Sequence, residues 1–138
     1  MLLLGAVLLA IAGPQAATVL QPAEAIARAD AARGRSVSGT FAMKVAVVGE
    51  SAKGLYLNDT ADLRSPTNVT FRLTPFAARK LKGKLGTALG RALIGRIVQV
   101  RGVLRPAPIV NTTNGTDRSD NRVQYEVVVD SLANLTIW

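Results

Sequence analysis

Apolar and polar residues alternate in five separate segments, and that period of two commits each of them to β-strand. The first segment, residues 37–48 (VSGTFAMKVAVV), puts Val37, Phe41, Met43, Val45 and Val47 on one side. Gly39 inside it predicts a bulge or a sharp bend. Residues 49–54 (GESAKG) read as a tight turn with glycine at both ends. Residues 55–58 give a short second strand with Leu55 and Leu57 inward, and residues 59–68 a polar connection. Val69, Phe71 and Leu73 then mark a third strand over 69–73.

One segment breaks the alternation. Thr74-Pro75 is a helix start, with Thr as N-cap and Pro in the first helical position. Ala77, Leu81, Leu85 and Leu89 recur every fourth residue and predict one apolar stripe over 75–93. Glycines weaken a helix by about 1 kcal/mol each, so a break near Gly86 is expected. Residues 96–104 (RIVQVRGVL) form a fourth strand that Pro106 and Pro108 should end, and residues 111–122 (NTTNGTDRSDNR) read as a polar loop. Residues 123–129 form a fifth strand, placing Val123, Tyr125, Val127 and Val129 on one side, and Leu135 and Ile137 extend the sheet.

The order is β-β-β-α-β-β, an all-β class with one helix. A first strand that bends can serve both sides of a small barrel. This layout resembles the OB-fold, a five-stranded barrel with a helix between strands three and four. The stretch LIGRIVQVRGVL followed by YEVVVDSLANLTI looks like the end of many bacterial OB domains. The phrase GLYLNDTADLRSPTNVTFRL is similar to the second and third strands of exported bacterial OB-type proteins of unknown role. The resemblance spans roughly residues 36–138. It implies a five-stranded OB-like barrel that binds an oligonucleotide, an oligosaccharide or a protein, or only scaffolds.

Ahead of that domain, residues 2–12 (LLLGAVLLAIA) form an uncharged run that suits a signal-peptide core and falls short of the ~20 apolar residues of a membrane span. Ala23-Glu24-Ala25 supplies an A-x-A site, so cleavage is expected after Ala25, with Ala16, Ala17 and Ala27 as alternative cut points. The organisation expected is therefore a signal peptide over 1–25, an N-terminal arm over 26–36 and the barrel domain over 37–138. The arm is Ala- and Arg-rich and can form one or two helical turns. The product is expected in the periplasm or secreted, with no transmembrane span after cleavage. A buried N-terminal helix and an uncleaved anchor are the alternatives.

Charge narrows function further. The chain carries 17 Lys and Arg against 9 Asp and Glu, a formal charge of +8. No acid occurs between Asp62 and Asp117, an interval holding Arg64, Arg72, Arg79, Lys80, Lys82, Lys84, Arg91, Arg96, Arg101 and Arg105. A one-sign field of that size attracts phosphates, acidic glycans or anionic lipid heads. The opposing reading is an ordinary solvated surface. With no His and no Cys, the chain has no imidazole base, no thiolate nucleophile and no disulfide. No catalytic residue, cofactor or metal is expected. Asp59 and Asp62, three apart in a turn, read as turn caps rather than calcium ligands.

The candidate ligand-binding residues are Tyr56, Asn58, Arg72, Arg101 and Arg105. By alternation Tyr56, Asn58, Thr70 and Arg72 point outward from strands two and three, where a ring beside a guanidinium can stack a base or sugar and hold its phosphate. The competing use for Tyr56 is to cover the barrel edge, and for Arg101 to pair with Glu126. A second candidate surface is the basic helix, through Arg79, Lys80, Lys82 and Lys84. The function expected is an exported basic module for an anionic ligand, with a peripheral membrane contact as one form of it. The alternative is a structural or protein-interaction domain of the cell envelope.

Overall fold

The computed structural model describes residues 18–62, 65–113 and 116–138, with the side chains of 108–123 excepted. The apolar run at 2–12 and Arg64 lie outside the described residues. Within them the chain is mostly sheet with a few helices. The strands are β1 (Val19–Leu20), β2 (Val37–Lys44), β3 (Val47–Ser51), β4 (Gly54–Asn58), β5 (Val69–Leu73), β6 (Ile97–Thr113), β7 (Thr116–Val129) and β8 (Leu135–Ile137). The helices are α1 (Pro22–Ala31), α2 (Pro75–Leu85) and α3 (Leu89–Leu93), with a 3-10 turn at Leu132–Asn134. The expected five strands and one helix are therefore eight strands and three helices.

The strands hydrogen-bond in the order β1-β2-β6-β7-β5-β4-β3, with β8 on β6. The β1–β2 and β5–β7 pairs are parallel and the rest antiparallel. Among the described residues no ladder joins β2 to β3, so the sheet is not closed by hydrogen bonds. The two strands are nevertheless successive pieces of the expected first strand. The chain changes neighbours between them. Val45 donates to Arg96 O at 2.9 Å and accepts from Gly95, whereas Ala46 donates to Asn58 O at 2.8 Å. The bend sits there and not at Gly39, whose register with Gly102 is regular. The two glycines instead make room inside. A Cβ on Gly39 would lie 3.4 Å from the Phe41 ring, and one on Gly102 would lie 2.9 Å from Val127 Cγ1.

Alternation located the core. Phe41, Met43, Leu57, Phe71, Val100 and Val127 are all buried in one cluster. Leu85 is a correction to the apolar stripe: it is exposed, because α2 ends there and Gly86, at φ 90°, turns the chain away. The helix break near Gly86 falls where expected. The tight turn is shorter than expected, since Gly49, Glu50 and Ser51 pair with β4.

The largest correction lies after residue 104. Pro106 and Pro108 do not end the strand, and residues 111–113 and 116–122 are strand rather than loop. β6 and β7 continue as one hairpin to Thr113 and Thr116, with an irregular register between Pro108 and Ile109. β2 pairs with β6 only as far as Leu104, so the prolines lie where, among the described residues, one edge of β6 has no neighbouring strand. Proline is tolerated on such an edge.

At the other end of the chain, α1 occupies residues read as leader and arm. Its Ala25 and Ala29 are buried in the core cluster, and the bond after Ala25 lies inside the helix. Tyr125 Oη donates to Asp30 Oδ1 at 2.7 Å and ties α1 to β7. That carboxylate partner, with some burial, raises the Tyr125 hydroxyl above its usual pKa of 10.0.

Candidate functional site

Two surfaces were expected to bind, and the fold treats them differently. The first is the outer face of β4 and β5. Tyr56 and Arg72 are cross-strand partners there, as alternation requires. Tyr56 is half-buried. Arg72 is already engaged: Nε lies 3.2 Å from Glu126 Oε1, and Nη1 donates to Lys53 O at 3.1 Å. Arg105 on β6 is the register partner of Glu126 but forms no ion pair with it. The expected Arg101–Glu126 pair does not form. Arg101 faces Thr40 across the ladder and donates to Asn134 Oδ1 at 3.4 Å. Arg101 is exposed beside a shallow depression of about 580 Å³ that Ser38, Thr40 and Asn134 also line.

Asn58 and Thr70 are corrections. Both were expected to face solvent, and they are 4% and 0% exposed. Thr70 Oγ1 donates to Asn58 Oδ1 at 2.6 Å, and Asn68 Nδ2 donates to both Asn58 Oδ1 and Thr70 Oγ1 at 3.2 Å. Asn68 Oδ1 accepts from the Thr60 backbone N–H at 3.3 Å. This network pins the 59–68 connection down over the end of the two strands. Buried polar groups need such partners, and none of the described buried side chains here lacks one. Asp59 adds to the pin, with Oδ1 accepting from Val69 N at 2.6 Å. Burial raises the Asp59 carboxyl above 3.8, against the lowering effect of that N–H. Sequence alternation gave the side on which Asn58 lies. It carried no signal for the loop that covers it.

The second surface is α2. Thr74 Oγ1 accepts from Ala77 N at 3.3 Å and caps the helix, as its place before Pro75 predicts. Thr74 N donates to Val129 O at 3.0 Å, which seats the helix start on the end of β7. Ala77, Ala78 and Leu81 face the core. The helix cations then divide. Lys82 pairs with Glu50 of β3 on one flank. Arg79, Lys80 and Lys84 are exposed and have no ion pair among the described residues. Lys80 and Lys84 flank a groove of about 430 Å³ between α2 and the segment Asp130–Ala133. The Lys80 ammonium stands 4.7 Å from the centre of the Phe76 ring.

Among the described residues no helix is long and apolar enough to cross a membrane, which leaves strand-built spans unaddressed. No protein-family model matches the chain, and no curated protein matches it. Among solved structures it is similar to a crystal structure assigned to an aspartyl-tRNA synthetase from Leishmania major Friedlin, at 12% identity and a TM-score of 0.47. That likeness covers 94% of this chain and 22% of the synthetase chain.

Proposed function

We propose that this chain is an OB-type barrel that serves as a basic binding module for an anionic ligand, held through the exposed face of α2. What supports the barrel reading is the strand order. Its path leaves from β2 and returns to β3, and only Val45 and Ala46 separate those two strands. The observation that carries the binding reading is that Arg79, Lys80 and Lys84 project from one short helix with no carboxylate paired to them among the described residues. Arg72 is held by Glu126 and the Lys53 carbonyl, so its charge on the β4–β5 face is already partly met. The ligand class is a polyanion: an oligonucleotide, an acidic glycan or a lipid surface.

The test is binding of the full chain to a single-stranded oligonucleotide, to heparin and to anionic vesicles across a salt series. Affinity should fall steeply with salt. Replacing Arg79, Lys80 and Lys84 together by Gln should flatten the oligonucleotide slope of log K against log salt by about 2, at ~0.7 for each phosphate left unneutralised. Arg72→Ala with Tyr56→Ala should leave that slope nearly unchanged. The reverse pattern moves the site to the barrel face. Indifference to all three polyanions at low salt overturns the reading and leaves a protein-interaction domain of the envelope in its place.

Export belongs to the same proposal, with one adjustment. Cleavage after Ala25 would remove β1 and cut α1, taking away the buried Leu20 and Ala25. Cleavage after Ala16 or Ala17 spares both elements. N-terminal sequencing of the exported product should therefore begin at Ala17 or Thr18. A start at Ile26 would show that β1 and the first turn of α1 are dispensable.

A further inference from the structure

We infer that the groove between α2 and the Asp130–Ala133 segment is a specific site for an amphipathic anion, a phosphate or carboxylate carried on an apolar stem about one ring wide. The inference rests on the basic-module reading and narrows it to one place and one ligand shape. The groove is lined by Phe76, Lys80 and Lys84 of α2 and by the segment Asp130–Ala133. Its volume of about 430 Å³ falls within the ~300–1,000 Å³ of small-ligand sites.

The chemistry is divided along its length. Phe76, Lys80 and Lys84 are spaced four apart on α2, so they fall on one side of the helix, one turn after another. Phe76 is 55% exposed, an unusual place for a phenyl ring on a helix whose mean character is polar. Leu132 is half-buried and also lines the groove. An apolar stem laid between them would remove the ring from water. The ammonium groups of Lys80 and Lys84 would then hold the charged head. Asp130 lies in the same groove and has no ion pair among the described residues. Its carboxylate repels a second anion, and so fixes which way the head points. The Ser131 hydroxyl accepts from Ala133 N at 3.3 Å, which leaves its own proton to donate.

Phenyl phosphate and inorganic phosphate are the probes, titrated calorimetrically into the full chain at low salt. Phenyl phosphate should bind about tenfold tighter, the effect of burying about 50–60 Å² of ring. Phe76→Ala should erase that preference while leaving inorganic phosphate unchanged. Because the ring is largely in water, the variant should fold. Lys80→Gln with Lys84→Gln should weaken both probes about tenfold. Asp130→Asn should tighten both about two- to fivefold, a gain that a merely structural residue would not give. Lys44→Gln, an equal loss of charge elsewhere on the surface, should change neither. Vesicles containing phosphatidic acid distinguish the sources: displacement by phenyl phosphate places a lipid head in the groove, and binding without displacement restricts the groove to soluble ligands. Equal affinity for the two phosphates, a loss at Asp130→Asn, or a loss at Lys44→Gln as large as at the two lysines overturns the inference. Salt-dependent polyanion binding surviving alongside any of those results removes the groove and keeps the basic module. Loss of both removes both.

Discussion

The outer face of β4 and β5 and the outer flank of α2 are both rich in polar side chains, yet one is closed and the other open. On the strand face nearly every donor has an acceptor. Asn58, Asn68 and Thr70 satisfy one another, and Arg72 spans Glu126 and the Lys53 carbonyl. On α2 only Lys82 has an ionic partner among the described residues, and Phe76 is left in water. The difference teaches that polar residues in register on a sheet are more easily used up by the protein itself. Sheet neighbours lie close enough to bond directly, whereas of the four cations on α2 only Lys82, which reaches β3, finds a carboxylate among the described residues.

Breaking the closed face should be costly. Gly54 starts β4 at φ 128°, and a Cβ there would stand 1.9 Å from the Leu73 carbonyl oxygen. Gly54→Ala should therefore cost about 3 kcal/mol or more in urea unfolding, from strain and overlap together. A loss under about 1 kcal/mol would mean that β4 and β5 separate easily and the face is not rigid. Asn68→Ala should cost about 1–3 kcal/mol, because it strips partners from the buried Asn58 and Thr70. A neutral result would mean that water replaces the amide.

Asp59 sharpens the comparison through pH. Burial raises its folded pKa above 3.8, so the folded state holds the proton more tightly than the unfolded one. The associated stability is full below pH 3.8 and is lost as pH rises through the raised value. Asp59→Asn keeps the acceptor for Val69 N and should remove that loss. Relative to the parent, the variant should be more stable at about pH 6.5 than at about pH 3 in matched urea titrations. The opposite trend would show that the charged carboxylate is the favoured form. The open flank should give the smallest response. Lys80→Gln and Lys84→Gln should each move stability by less than about 0.5 kcal/mol while weakening anion binding.

Much of this contrast is legible in the sequence, and the misses share a cause. Alternation alone places Phe41, Met43, Leu57, Phe71 and Val127 inside, and Thr74-Pro75 marks the start of α2. Alternation reports which side of a strand a residue faces and nothing about what lies over that side. It therefore puts Asn58 and Thr70 in solvent although a loop covers them. Pro106 and Pro108 suggest a stop because proline lacks an N–H. Whether that matters depends on a neighbour, and β2 ends its pairing at Leu104. The pairing of Arg72 with Glu126 joins residues far apart in the chain, which local pattern cannot see. Composition assigns residues 22–31 to the leader and arm, yet their alanines are small enough to pack against the core.

The switch of neighbours between Val45 and Ala46 has a consequence in time. The β3–β4–β5 meander and the β6–β7 hairpin each form from contiguous chain, but the pairings that unite them are remote: β2 with β6, and β5 in parallel with β7. Loop closure must come before such contacts, which places folding of this kind in the range of roughly milliseconds to seconds. During synthesis the domain has nothing to complete until Val129 has emerged, since β5 lacks its second neighbour and Thr74 its acceptor. A nascent chain of this design keeps that edge of β5 unpaired until β7 has been made.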